Sequence, residues 1–205
     1  MKVENVYLIG AGGHAKVVTE ILNLSGKKIF GVFDDNPKLS VFAGLPVLGK
    51  IKDFRAGQGK AIIAIGDNNL RKAIADDMCG FYVSALHPQS IISSSVEISD
   101  GTVVMAAAVI NPDVIIGKHC IINTGASVDH DCQVGDYVHI APRATICGGV
   151  HIGEGTLIGA GASIVPGVKV GRRAVIGAGS TVISDIPDFS VAVGSPAVVI
   201  KKVFD

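Results

Sequence analysis

Residues 116–158 read IGKHCIINTGASVDHDCQVGDYVHIAPRATICGGVHIGEGTLI, with Ile or Val at every sixth position. The series runs without a slip from Ile92 to Val182. Four positions after each aliphatic comes a small or β-branched residue, such as Thr102, Ala108, Cys120, Ala126, Cys132 or Ala144. A helix period does not account for this, whereas alternation across strands does. A six-residue unit with one large aliphatic and one small residue fits a flat face and a corner. Three such faces close a triangular prism of about 18 residues per coil, whose aliphatics stack inside. The length of the series gives roughly five coils of parallel β-helix. Glycine follows the aliphatic at Gly117, Gly135, Gly153, Gly159, Gly171 and Gly177. We read these glycines as supplying corner geometries that other residues reach only at a cost.

Composition agrees with a narrow prism. The 205 residues are 48% hydrophobic but only 5% aromatic, and there is no Trp. Lys plus Arg and Asp plus Glu are 18 each, so the charge balance points to neither nucleic acid nor an anionic membrane. No apolar run reaches the ~18 residues that span a bilayer. The N-terminus leads straight into a strand, so we expect no leader peptide, no membrane insertion and a cytoplasmic protein. Cys120 and Cys132 take the small inward position of their hexads, and Cys147 follows an inward Ile. No pair of cysteines, Cys79 included, has the spacing of a zinc or redox motif.

Upstream of the repeat the pattern is different. Residues 5–9 read as a buried strand, 10–16 as a Gly-rich turn, and Val17, Val18, Ile21 and Leu22 as one face of a helix. Strands follow over 28–33, 60–65 and 81–86, with a second helix over 70–78. This makes a small Rossmann-like α/β unit with a parallel sheet of three or so strands. The domains expected are 1–86 for the α/β unit, 87–185 for the β-helix and 186–205 for a C-terminal cap. That cap shields the open end of the prism, as a solenoid requires.

Two motifs carry chemistry. Gly10-Ala11-Gly12-Gly13-His14 partly matches the phosphate-binding turn between a strand and a helix. Asp34 and Asp35 close the next strand, where a ribose hydroxyl is held in dinucleotide folds. So short a sheet favours a single nucleotide over a dinucleotide. The second motif is Val128-Asp129-His130-Asp131-Cys132. Val128 and Cys132 face inward, so His130 projects outward between two carboxylates, which suits a general base. Asn123 lies one hexad earlier and His139 nine residues later, on neighbouring faces. A zinc site of the kind found in carbonic anhydrases of this fold needs convergent ligands. No two of His87, His119, His130, His139 and His151 are 18 residues apart, so no metal is expected.

These segments together resemble the NeuD/PglD-like sugar acyltransferases. The resemblance rests on G-A-G-G-H-A-K, F-D-D, A-I-G-D-N, I-N-T-G-A-S-V-D-H-D-C and the terminal G-S-P-A. It is strongest to the N-acetyltransferases of nucleotide-linked 4-amino-4,6-dideoxy sugars, the GDP-perosamine type. The resemblance implies a left-handed coil, although the usual crossover rule would give the right hand. It also implies a homotrimer with acetyl-CoA lying between two prisms, and direct transfer without an acyl-enzyme. His130 matches the catalytic base and Asp131 the acid that tunes it. Gly12, Gly13, His14, Asp34, Asp35 and Gly66 match the nucleotide-sugar site, to which we add Asn123. His139, Gly148, Ala160 and Ala178 match contacts to acetyl-CoA. Cys147 has no adjacent base and is not read as a nucleophile. Two alternatives stand beside this reading. One is a sugar O-acetyltransferase of the sialic acid type; the other is a non-catalytic nucleotide-binding assembly protein.

Overall fold

The computed structural model describes residues 5–55, 57–78 and 80–203. Cys79 lies outside them. Contacts divide the chain into two units, Met1–Pro88 and Gln89–Asp205.

The first unit runs β1 (Val6–Ile9), α1 (Gly13–Leu24), β2 (Ile29–Phe33), β3 (Val41–Phe42), β4 (Leu45–Gly49), β5 (Lys60–Ile63), α2 (Asn68–Asp77) and β6 (Phe81–Tyr82). The sheet order is β3-β4-β2-β1-β5-β6. Neighbouring strands are parallel, apart from the β3–β4 hairpin. Every residue of β1 is buried, as the near-continuous apolar run of a central parallel strand requires. In α1, Ala15, Val18, Thr19, Ile21 and Leu22 are buried and form one helical face. Gly26, with φ +70°, ends that helix, and the Lys27 N–H returns to the Leu22 carbonyl at 2.9 Å. The chain passes from β1 to β2 on one side and later to β5 on the other. This reversal opens a crevice at the carboxyl end of β1, where ligands bind in open α/β sheets.

The sheet has more strands than the sequence led us to expect. The β3–β4 hairpin turns through Ala43 and Gly44, both at positive φ (48° and 79°). Pro46 inside β4 argues against a strand in the sequence. It is accommodated here opposite Val41 of the two-residue β3. The run read as one strand over 81–86 is two short ones, Phe81–Tyr82 and Ala85–Leu86.

The second unit is the predicted prism of two-residue strands. One face stacks Ile92, Ile110, Val128, Ile146, Ile164 and Val182. A second stacks Ile98, Ile116, Val134, Ile152 and Val170. A third stacks Val104, Ile122, Ile140, Ile158 and Ile176. Paired residues are always 18 apart, as in Ile110↔Val128 and Val128↔Ile146. The aliphatics from Val104 to Val182 are buried; Ile92 and Ile98, in the first coil, are half-buried. The small positions from Thr102 to Ser180 are buried as well, Cys120 and Cys132 among them. Val170 bridges Ile186, and the strand Ser190–Gly194 then extends the third face alongside Val175–Ile176. The strand Ala197–Lys202 folds back on it antiparallel.

The glycines that follow the aliphatics serve a purpose other than the one read from sequence. The left-handed residue of each corner stands two places further on, at every sixth position from Gly101 to Gly179. Side chains such as Ala107, His119, Asp131 and Arg143 take that conformation as well. Gly135 and Gly153 are needed for close approach between coils. A Cβ on Gly135 would stand 2.8 Å from the Glu154 nitrogen, and one on Gly153 2.7 Å from the Arg172 Cα. Backbone cannot swing aside as a side chain can. Gly153→Ala is therefore expected to destabilise the prism by about 1–3 kcal/mol, the usual cost of overpacking. A lower unfolding midpoint in denaturant, with Gly149→Ala as the comparison for strain without crowding, checks this.

Candidate active site

The corner between the first and second faces carries Asp129, His130 and Asp131. The inward pull of Val128 and Cys132, both fully buried, leaves the residues between them outside. Asp131 is the corner's left-handed residue, at φ +60°. Its Oδ2 lies 2.7 Å from His130 Nδ1, and both side chains are exposed (59% and 66%). A carboxylate only accepts, so Nδ1 carries the proton and Nε2 of the neutral ring presents a lone pair. The hydrogen bond to Asp131, then the charge of Asp129, hold the imidazole above its ordinary pKa. Asp129 is held below the carboxylate range by hydrogen bonds from the Asn111 side chain and the His130 amide. Gly148 stands one coil on from His130. A Cβ there would lie 2.7 Å from Cε1 and 2.8 Å from Nε2, so the ring rests on the bare Gly148 backbone.

Asn123, His139, Ala160 and Ala178 lie elsewhere on the prism. Asn123, Ala160 and Ala178 occupy the corner between the third and first faces, after the strands ending at Ile122, Ile158 and Ile176. His139 is on the third face, where its Nε2 meets Asn123 Nδ2 at 3.0 Å. Within one chain the structure therefore joins His130, Asp131 and Gly148, and separately joins Asn123 to His139. The first face separates the two groups, a width on the order of 15–20 Å for six near-extended residues.

The crevice of the α/β unit gathers most of the remaining predicted residues. Gly12 precedes α1 without a side-chain cap, and no atom lies within 4 Å of a Cβ built on Gly12 or Gly13. The turn therefore faces open space, with helix N-terminal amides that suit a phosphate. Asp34 braces this turn. Its Oδ2 accepts from the Ala11 amide at 2.7 Å and its Oδ1 from the Asn36 amide at 2.8 Å. Asp35 Oδ1 accepts from the Ile51 amide at 3.0 Å. Each carboxylate keeps further lone pairs for a hydroxyl. His14 opens α1, and its Cβ would sit 3.9 Å from one on Gly66.

Sequence reading missed two contributors. Arg71, 1% exposed, donates to the Ile65 and Gly66 carbonyls at 3.0 and 3.1 Å and to Asn68 Oδ1 at 2.8 Å. It fixes the loop that bears Gly66. An arginine three residues before the buried Ile74 on the same helix face was its only trace in the sequence. Asn111, the donor to Asp129, stands 18 residues before it, a spacing that makes the two positions neighbours but does not say that their side chains meet. Among the described residues no group of three or more His, Cys, Asp or Glu side chains is placed to hold a metal ion. Nor is any helix among them long and apolar enough to cross a membrane.

Comparison with known proteins agrees with this fold. The PglD N-terminal domain family matches residues 5–78, and the bacterial transferase hexapeptide family, six repeats, matches residues 149–184. UDP-N-acetylbacillosamine N-acetyltransferase of Bacillus subtilis (strain 168) is 40% identical over 122 residues. That alignment spans 51% of this chain and 52% of the relative, about half of each. Several solved structures match nearly end to end, among them the following two. Perosamine N-acetyltransferase from Caulobacter crescentus, a histidine-to-asparagine mutant in complex with CoA and GDP-perosamine, is 39% identical over 98% of each chain (TM-score 0.90). The acetyltransferase domain of PglB from Neisseria gonorrhoeae FA1090, in complex with acetyl coenzyme A, is 36% identical over 96% of this chain and 99% of that one (TM-score 0.90). The parallel coil is thus the left-handed β-helix of the hexapeptide transferases. With its α/β front unit, its hexad prism and near full-length likeness to these enzymes, the chain belongs to the NeuD/PglD-like family of sugar acyltransferases.

Proposed function

We propose that this protein transfers the acetyl group of acetyl-CoA to the 4-amino group of a nucleotide-linked amino-dideoxy sugar. It acts as a cytoplasmic homotrimer in the making of a surface polysaccharide or glycan. The observation that carries the reading is the His130–Asp131 pair, with Nδ1 bonded at 2.7 Å so that the ring's lone pair falls on Nε2. The residues to 86 take the nucleotide through the Gly12-Gly13 turn, Asp34, Asp35 and the Gly66 loop. Residues 87–185 carry out the transfer, and 186–205 close the prism.

The step needs one proton moved and one bond exchanged. The sugar amine attacks the thioester carbonyl while Nε2 of His130 takes a proton from it. The negative charge of Asp131 stabilises the imidazolium. The amide of Gly148, the residue whose backbone lies against the imidazole, is assigned to steady the oxyanion. The tetrahedral adduct collapses, the C–S bond breaks, and the proton on His130 passes to the departing thiolate. The products are the acetamido sugar and CoA.

The separation of the two corners supports the trimer. The corners of His130 and of Asn123–His139 flank one face, whose outward residues include Val109, Ser127, Thr145, Ser163 and Thr181, none of them charged. If that face turns toward a threefold axis, the His130 corner of each copy meets the Asn123–His139 corner of the next. Cyclic closure then builds three composite sites.

The activity is tested with GDP-, UDP- and dTDP-linked 4-amino sugars, reading CoA release. The expected result is release with at least one of them; none with any would overturn the proposal. The assembly is tested by co-refolding His130→Ala with an Asn123→Ala/His139→Ala double variant. Random mixing should restore about a quarter of wild-type activity, because one site in four takes its intact halves from different copies. No recovery in verified mixed trimers would mean that each site lies within one chain.

A further inference from the structure

We infer that Asn111 is a positioning residue for the transfer reaction, holding Asp129 so that Asp129 in turn fixes the peptide from which His130 projects. The inference rests on the reading of His130 as the base. Asn111 stands one coil before Asp129 in the register of Ile110 and Val128. Its own amide donates to the Val128 carbonyl at 2.9 Å, and the Asp129 amide donates to Ile146 at 2.8 Å, so both backbones are locked into the ladder. From that fixed base Asn111 Nδ2 reaches Asp129 Oδ1 at 2.7 Å. The same oxygen accepts the His130 amide at 2.9 Å. One carboxylate oxygen thus joins the rigid preceding coil to the first peptide of the corner that bears the imidazole.

The corner needs such a tie. Asp131 sits in the left-handed conformation, and its amide donates to Pro112 at 3.2 Å, the longer end of the hydrogen-bond range. Both side chains of the His130–Asp131 pair are exposed, so side-chain packing does not hold the ring. The other restraints on the base are its bond to Asp131, the bare backbone of Gly148 beneath it and the Gly149 N–H on the His130 carbonyl at 2.9 Å; the Asp129 bond is the one that fixes the His130 amide. Asp129 has a second effect. It places a negative charge beside the imidazole, which Asn111, being neutral, does not. Position and charge therefore separate on mutation.

The experiment compares Asn111→Leu, of similar size without a donor, with Asp129→Asn, which removes the charge. Asn111→Ala serves as a second variant should the leucine disturb folding. Asn111→Leu is expected to lower kcat about 10-fold with both KM values within two-fold, since small misplacements cost up to about 100-fold in rate. The acidic limb of its pH–rate profile should stay in place, because Asp129 keeps its charge. Asp129→Asn should lower kcat and also move that limb to lower pH. In a His130→Ala background, Asn111→Leu should cost nothing further, because residues acting through one another are not additive. A folded Asn111→Leu enzyme with wild-type kcat overturns the inference, as does an undiminished loss in the His130→Ala background. Wild-type kcat in His130→Ala alone overturns the reading of the base instead.

Discussion

Replacing His130 by alanine is expected to lower kcat by about 100- to 10,000-fold, the range that a general base contributes. Both KM values should stay within a few-fold. In the proposed reaction the imidazole takes a proton that is lost only as the C–N bond forms, so its removal should fall on the transition state and not on binding. Folding should be untouched, since the side chain is 59% exposed and its corner is held from inside by Val128 and Cys132. Asp131→Asn probes the same pair more gently. His130 must be neutral to accept a proton, so activity falls as pH drops through its pKa. Asp131 is the leading cause that raises that pKa, and its charge and acceptor strength are lost in Asn. The acidic limb should therefore move to lower pH, while kcat on the plateau falls less than in His130→Ala. A normally assembled, normally stable His130→Ala enzyme with wild-type kcat would mean that the base lies elsewhere, with His139 the next group to test.

The second large effect is expected from Gly148→Ala. The added methyl would lie within 2.8 Å of Cε1 and Nε2 of His130, closer than carbon and nitrogen pack. The imidazole is exposed and swings away at little cost to stability, but in doing so it leaves Asp131 and the place where its lone pair is needed. A displacement of about 1 Å at a catalytic group costs about 100-fold in rate, and we expect kcat to fall by that order with an unchanged melting temperature. The neighbouring glycine makes the comparison sharp. Gly149 has φ +68° and no atom within 4 Å of its would-be Cβ, so Gly149→Ala strains the backbone without touching the imidazole. It should lower stability while leaving kcat per folded enzyme close to wild type. If Gly148→Ala keeps full activity, the ring does not rest where the chemistry occurs.

The prism was legible because its constraint is local and repeated. Each hexad buries one aliphatic and one small residue, and the burial of Val104 to Val182 and Thr102 to Ser180 follows that reading. The outward aim of His130 followed from the same rule, since inward neighbours two positions either side leave it nowhere else to point. The front sheet was harder to read. β4 carries Pro46 and alternates between half-buried and exposed, so its membership depends on pairing with β2, a strand 12 or more residues away. The glycines show the same division. The sequence shows that Gly117, Gly135 and Gly153 recur after an aliphatic, but not whether the backbone turns there or a neighbour comes close.

What the sequence determined by itself was the period, the interior and the residues left outside, because side-chain alternation and burial act over a few positions of the chain. What only the tertiary structure decided was which outward residues meet. The 18-residue stacking sets Asn111 against Asp129 and Gly148 beneath His130, and it puts Asn123 with His139 but a full face away from His130. Such contacts depend on how one coil lies on the next and on conformations such as the left-handed Asp131. Those are properties of the closed coil, and no short stretch of the chain contains them.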